Sequence, residues 1–306
     1  MSLNFDLHKN LGSALRLLGI LFVLLPHSGM AQEFQHIEDE ILKINQIPLR
    51  KDTTDEAKFK AAQEIQDILL QTLVEPESWD YSFESLRYST IAIAEHPKAD
   101  VRLFTYNVIS NDGKFTHYGV LQHKKRRKKI NVYPLWDSAQ ALPENYQEAG
   151  LTNDQWIGAL YYQMVPFKHN RNTVYMLMGF DGHNIHSNRS ILDALYFEDG
   201  EPLWGYELYR SSEEDPTPEP REVFEYHKSA QLLLRYQEQG QQIVVENLIP
   251  SEPKYKGNPY YYIPSGDYYA YFQEGKTWVK KLLTDDLPFA PKVKVDVDEI
   301  KKDIPR

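Results

Sequence analysis

The run Asp181-Gly182-His183-Asn184-Ile185-His186-Ser187-Asn188-Arg189-Ser190 is the densest collection of potentially reactive side chains in the chain. His183 and His186 are three residues apart, and Asp181, Asn184 and Arg189 add a carboxylate, an amide and a guanidinium. Such groups serve proton transfer, ligand hydrogen bonding or metal coordination. A zinc site draws on three or four converging ligands, often in a His-Glu-x-x-His pattern, which is absent here. The alternating acidic residues and terminal Glu of a calcium loop are missing too. The run reads first as a long polar hairpin loop, with Asp181, His183, Asn184, His186 and Arg189 as candidate ligand-binding residues. The alternative reading is a metal-assisted hydrolase centred on His183 and His186. No metal ligand set is assigned, and no cofactor motif occurs.

A second cluster is aromatic: Tyr255, Tyr260, Tyr261, Tyr262, Tyr268, Tyr269 and Tyr271, with Trp278 nearby. Tyrosines on adjacent strands can form a flat face rimmed by hydroxyls, suited to glycan rings or a protein partner. Strand alternation turns about half of them into a core, which leaves Tyr261 and Tyr269 as candidates for an exposed platform. A third feature is His123 followed by six basic residues, Lys124 to Lys129. Between Gly119-Val120-Leu121 and Ile130-Asn131-Val132 this run reads as a well-solvated hairpin tip. No Gly-x-Ser-x-Gly elbow, Ser-x-x-Lys pair or phosphate-cradling glycine loop is present. Glu222, Glu225 and His227 are acid and base groups without a signature spacing.

The elements that position these residues follow from periodicity. Phe34, Ile37, Ile41, Leu42 and Ile44 lie near helical spacing and predict a helix from Glu33 to Ile47, stopped by Pro48. Thr53 or Thr54 caps a second helix that carries Phe59, Ala62, Ile65, Ile68, Leu69 and Leu73 on one stripe as far as Pro76. Residues 83–95 are expected to form a third helix, ending before Pro97.

From Val101 the period changes to two. Val101 to Ile109 meets the turn Asn111-Asp112-Gly113, and Phe115 to Leu121 returns. Val174 to Phe180 and Ile191 to Phe197 flank the polar run, and Asp199-Gly200 turns toward Pro202 to Tyr209. Ser229 to Tyr236 pairs with Ile243 to Asn247, and Tyr268 to Phe272 with Trp278 to Leu283. The expected fold is α+β, a short N-terminal helical segment followed by a mainly antiparallel β domain built as a sandwich, open sheet or partial barrel. A propeller is the runner-up, against which stands the lack of a fixed repeat period.

At the N-terminus, Lys9 and Arg16 precede the apolar run Leu17 to Leu25, and Gly29-Met30-Ala31 ends in small residues. This is the layout of a secretory signal peptide cleaved near Ala31. At ~1.5 Å per residue the run is too short for a hydrocarbon core of ~30 Å. The expected organisation is therefore a signal peptide over 1–31, a helical segment over 32–98, a β-rich domain over 99–287 and a tail over 288–306. The mature chain is expected to have no transmembrane span and to be periplasmic or secreted.

The chain holds 44 acidic against 34 basic residues, a net charge of −10, which argues against general binding to nucleic acid or anionic membranes. It has no cysteine, so neither disulfides nor thiolate chemistry is available. With the export signal, Trp156-Ile157-Gly158-Ala159-Leu160-Tyr161-Tyr162, Tyr175 to Gly182 and Glu222-Val223-Phe224-Glu225-Tyr226 resemble segments of uncharacterised exported proteins of Gram-negative envelopes. The resemblance implies a location and a β-rich body, and no activity. The function expected is that of an exported envelope protein, a non-catalytic binding or structural module with an envelope protein or a glycan as partner.

Overall fold

The computed structural model describes residues 29–126, 129–137, 142 and 145–283. The segment before residue 29 and the expected tail over 288–306 lie outside the described residues. Helix α1 covers 29–45, and α2 runs Asp55–Leu73. Thr54 is the N-cap of α2: its side chain accepts the Ala57 N–H at 3.3 Å, satisfying one of the donors that a helix start leaves open.

No third helix spans 83–95. Two 3₁₀ turns, Pro76–Asp80 and Glu84–Tyr88, lead instead into strand β1, Ala92–Ala94. Ile93 there pairs with Phe104, so β-branched residues that carry a weak helical pattern complete a sheet edge instead.

The first sheet has the order β1, β2 (Val101–Ile109), β3 (Phe115–Lys124) and β4 (Ile130–Trp136), all antiparallel. Between β3 and β4, the Lys125 N–H donates to the Lys129 carbonyl at 2.7 Å, while residues 127–128 of the basic run lie outside the described residues. The second sheet contains β5 (Leu151–Thr152), β6 (Leu160–His169), β7 (Asn172–Asp181), β8 (Ser187–Glu198) and β9 (Glu201–Trp204). The third is built from β10 (Tyr209–Arg210), β12 (Leu234–Gln237), β13 (Gln242–Pro250), β14 (Tyr262–Glu274) and β15 (Thr277–Leu283). Strand β11 (Glu222–His227) joins the second sheet by pairing with the first half of β8, whose second half pairs with β9. Among the described residues none of the three sheets closes into a barrel. The fold is α+β, with helices first and antiparallel sheets after.

Three apolar cores separate the layers. Helix residues Ile41, Ile65 and Leu69 pack on Phe104, Tyr106 and Val120 of the first sheet. The opposite face of that sheet, with Leu103, Leu121 and Leu135, packs on Tyr175, Leu177 and Ile191 of the second. The other face of the second sheet, with Val174, Met176, Met178 and Leu192, meets Ile243, Val245 and Trp278 of the third. The second sheet is thus covered on both sides, which is why β7 is apolar almost throughout rather than alternating. Each fully buried Leu, Ile or Phe contributes about 1.5–3 kcal/mol of transfer free energy, so this stacking is the main source of stability in a chain without disulfides.

Buried polar residues fix how the layers sit. Gln66 of α2 donates to the Gly119 and Leu135 carbonyls at 2.9 and 3.1 Å. Arg102 in β2 donates to the Ser78 and Tyr81 carbonyls and to Gln122, tying the 3₁₀ turn at 76–80 to the first sheet. Burial brings the Arg102 guanidinium down to about 10, opposed by the Glu95 carboxylate.

Candidate functional site

The polar run is shorter as a loop than expected. Asp181 ends β7 and Ser187 to Ser190 begin β8, so only 182–186 lie between strands. Asp181 Oδ1 accepts the His183 N–H at 2.6 Å, while Asn184 Oδ1 accepts the N–H groups of His186 and Ser187 at 2.7 and 3.0 Å. Asp181 and Asn184 therefore shape the turn through side chain to backbone bonds. His183 sits at φ +50, a left-handed conformation costly for a side chain with a Cβ, and the Asp181 carboxylate bonded to its N–H holds it there.

Register then sorts the neighbouring side chains onto two faces. Asp181, Arg189 and Glu225 are directly opposite one another across β7, β8 and β11. The adjacent row on one side is Phe180, Ser190 and Phe224, and on the other side Asn188 faces Tyr226. Because successive residues of a strand point to opposite sides, the first row faces the first sheet and the others face the third.

On the side of the first sheet, Asp181 meets His117 from β3. His117 is only 3 % exposed. Its Nδ1 lies 3.2 Å from Asp137 Oδ2, and its Nε2 lies 3.6 Å from Asp181 Oδ1. His183 continues the line, with Nδ1 3.7 Å from Asp181 Oδ2 and Nε2 3.7 Å from Glu225 Oε1. Glu225 is held by Arg189 Nε at 3.0 Å and by the Ser187 hydroxyl at 2.6 Å. Carboxylate and imidazole thus alternate from the interior at Asp137 to the half-buried His183. Burial and the Arg189 guanidinium lower the His183 pKa from its ordinary value, against the pull of Asp181 and Glu225.

On the other side, facing the third sheet, lies a groove of about 610 Å³. Phe180, Ser190, Tyr226, Tyr162 and the segment 228–235 line it. Most of that segment was expected to be strand, but pairing begins only at Leu234, which leaves 228–233 free to form a wall. Tyr162 is turned into the groove by a bulge in β6, where the register with β7 shifts between Tyr161 and Gln163. The residue is 45 % exposed while its hydroxyl donates to the Leu234 carbonyl at 2.7 Å. Lys228 joins the two faces: its Nζ donates to the Gly182 carbonyl at 2.7 Å and lies 4.6 Å from the Phe115 ring centroid.

Of the residues expected from sequence, Asp181, His183 and Arg189 come together, and Asn184 shapes their turn. His186 points elsewhere and stacks on Tyr260 with ring centroids 5.6 Å apart. Tyr261 is half-buried and stacked on Tyr255 at 4.0 Å. Tyr269 lies in β14, half-buried, with the Lys280 ammonium 5.4 Å from its ring centroid. The connector therefore meets the tyrosine cluster at Tyr260. Among the described residues no group of three or more His, Asp and Glu is arranged to hold a metal ion.

His117, Asp137, Tyr162 and Lys228 were missed. His117 carries one signal, an imidazole at an inward position of an alternating strand, and Tyr162 carries none because a bulge leaves no mark in the pattern. Comparison with family models, curated proteins and solved structures finds no match.

Proposed function

We propose that the chain is an exported envelope protein that acts as a binding module, with the groove between the second and third sheets as its ligand site. The observation that carries this reading is the groove itself. Its volume of about 610 Å³ falls in the range of small-ligand sites, and aromatic rings are presented beside polar side chains. Its wall on β8 and β11 is backed by the Glu225–Arg189 pair and the buried Asp181, which pre-organises the site before a ligand arrives. Export is supported by the n-region, apolar run and small residues ahead of Gln32. Cleavage after Ala31 spares the buried α1 residues Phe34, Ile41 and Ile44. None of the described helices is long and apolar enough to cross a membrane.

Cell fractionation with N-terminal sequencing tests the address, and a mature chain starting at Gln32 in the periplasm or medium is expected. For the site, immobilised protein is exposed to an envelope extract and compared with Tyr162→Ala. A component retained by the wild type and lost by the variant is expected; equal retention by both removes the groove from the function.

A further inference from the structure

The outer edge of β12 is closed by side chains and not by another strand. The Glu246 N–H donates to the Leu233 carbonyl at 3.0 Å, so Leu233 and Arg235 aim their backbone groups at β13, while Leu234 and Tyr236 aim theirs the other way. Gln163 of β6 takes both groups of Tyr236, its Nε2 donating to the carbonyl at 3.1 Å and its Oε1 accepting the N–H at 2.8 Å. The Tyr162 hydroxyl donates to the Leu234 carbonyl at 2.7 Å, and the Tyr226 hydroxyl accepts the Leu232 N–H. Among the described residues, the Leu232 carbonyl and the Leu234 N–H are left without a partner. Both residues line the groove.

A carbonyl and an N–H placed two residues apart on one side of an extended chain are the pair to which a single residue of a parallel strand bonds through its own N–H and carbonyl. An open backbone edge is a template for pairing unless side chains block it. Here the two tyrosine hydroxyls and Gln163 block the positions around the pair and leave the pair itself open to the groove.

The lining sets the charge of the occupant. Among the described residues no Asp or Glu lines the groove. Lys228 is spent on the Gly182 carbonyl, and Arg235 has a partner too. Asn188 donates to the Lys228 carbonyl at 2.9 Å, and the Ser190 hydroxyl meets that of Tyr226 at 3.3 Å. With the ionic groups engaged, a charged ligand would lose its hydration without a counter-charge, so the groove matches a neutral one. The rings of Tyr162 and Phe180 beside the open pair suit an apolar side chain.

We infer that the groove takes an extended, uncharged peptide segment, one residue of which pairs with Leu232 and Leu234 in the parallel sense while an apolar side chain packs on Tyr162 and Phe180. This inference rests on the reading of the groove as a ligand site, and its test separates the two.

N-acetyl-phenylalanine methylamide carries one residue with both backbone groups and no charge. It is titrated into the purified, isotope-labelled chain and followed by NMR, beside its ester analogue, in which oxygen replaces the phenylalanine N–H, and beside maltotriose. The amide is expected to bind, and the ester to bind roughly ten-fold more weakly, since the Leu232 carbonyl then faces an oxygen in place of a donor. At roughly ten times its Kd the amide is expected to slow hydrogen exchange of the Leu234 N–H roughly ten-fold and to leave that of Tyr236, already bonded to Gln163, unchanged. Tyr162→Ala is expected to weaken amide and ester together, and Tyr162→Phe, which keeps the ring, to retain the preference for the amide. If Tyr162→Ala does not fold, the amide-to-ester ratio and the Leu234 exchange rate of the wild type still decide. Equal binding of amide and ester, or an unprotected Leu234 N–H, overturns the backbone pairing, and binding of maltotriose without the amide overturns the peptide class. Failure of the wild type to bind any of the three overturns the inference, whereas the groove reading falls only if retention from the envelope extract also survives Tyr162→Ala.

Discussion

His117 and Asp137 are joined twice through one oxygen. The His117 backbone N–H donates to Asp137 Oδ2 at 2.7 Å, and the His117 ring Nδ1 lies 3.2 Å from the same atom. The contact fixes both the end of β4 and the orientation of the ring, whose opposite nitrogen faces Asp181 on the next sheet. The pair therefore ties β3 to the end of β4.

Removing Asp137 leaves the buried His117 N–H without its acceptor, at a cost of about 1–3 kcal/mol. Asp137→Ala is expected to lower the urea midpoint by a corresponding amount at pH 7. Asp137→Asn, which keeps an oxygen for the His117 N–H, is expected to lose less. Equal losses would show that the ring contact, and not the backbone bond, carries the effect.

Asp193 and Arg221 form a second buried pair, with both side chains 0 % exposed and Nε 3.2 Å from Oδ1. The Tyr161 hydroxyl also donates to Asp193 Oδ2, and the arginine donates to the Tyr146 and Ala149 carbonyls. Each of Asp193→Ala and Arg221→Met is expected to cost about 3–5 kcal/mol. The double variant should cost clearly less than the sum, because neither charge is then left alone. Additive losses in a chemical-denaturation cycle would exclude a coupled pair.

The depressed His183 pKa sets a direction for stability against pH. Between its folded value and the ordinary value of about 6.5, the unfolded chain binds the extra proton, so stability falls as pH drops through that window and is complete above it. The half-buried His123, which packs on Phe197 with centroids 3.9 Å apart, is shifted the same way by burial. Melting temperatures at pH 7.5 and 5.5 should therefore differ less in the His183→Gln, His123→Gln double variant than in the wild type. Burial raises the Glu246 pKa and gives a slope of opposite sign, but this is common to both proteins and cancels in the comparison. An unchanged difference would mean that these imidazoles do not contribute.

Gly182 lies against the Phe115 ring so closely that an added Cβ would overlap ring atoms. Gly182→Ala is expected to cost about 1–3 kcal/mol through overpacking and to displace the ring over which Lys228 lies. Combining it with Phe115→Leu should recover part of the loss. No recovery in thermal melts would locate the strain in the backbone of the turn.

Much of the local structure was legible because its causes are local. The apolar stripe of α2 and its Thr54 cap mark that helix, and Asn111-Asp112-Gly113 marks the β2–β3 turn, where Gly113 takes φ +82. Lys125, Arg126 and Lys129 lie between β3 and β4, since charge at that density is compatible only with solvent. The residues 83–95 misled because Phe83, Leu86 and Ile91 fit a helical period, while Ile93 gains more by pairing with Phe104 at the open edge of β2. Chain-local patterns do not register that an edge elsewhere needs covering.

The candidate site divides along the same line. Asp181, His183, Asn184 and Arg189 are visible as a polar run because they are neighbours in the chain. Strand alternation alone puts Asp181 and Arg189 on the opposite face from Phe180 and Ser190. Only the stacking of three sheets supplies the partners of each face, bringing His117 and Asp137 to one and the 228–235 wall with Tyr162 to the other. By itself the amino-acid sequence determined the first two helices, several hairpins and the acidic, cysteine-free chemistry, since propensity, turns and charge act over a few residues. The tertiary structure decided which sheet lies on which and hence where the groove opens, since burial rewards contacts between residues far apart in the chain.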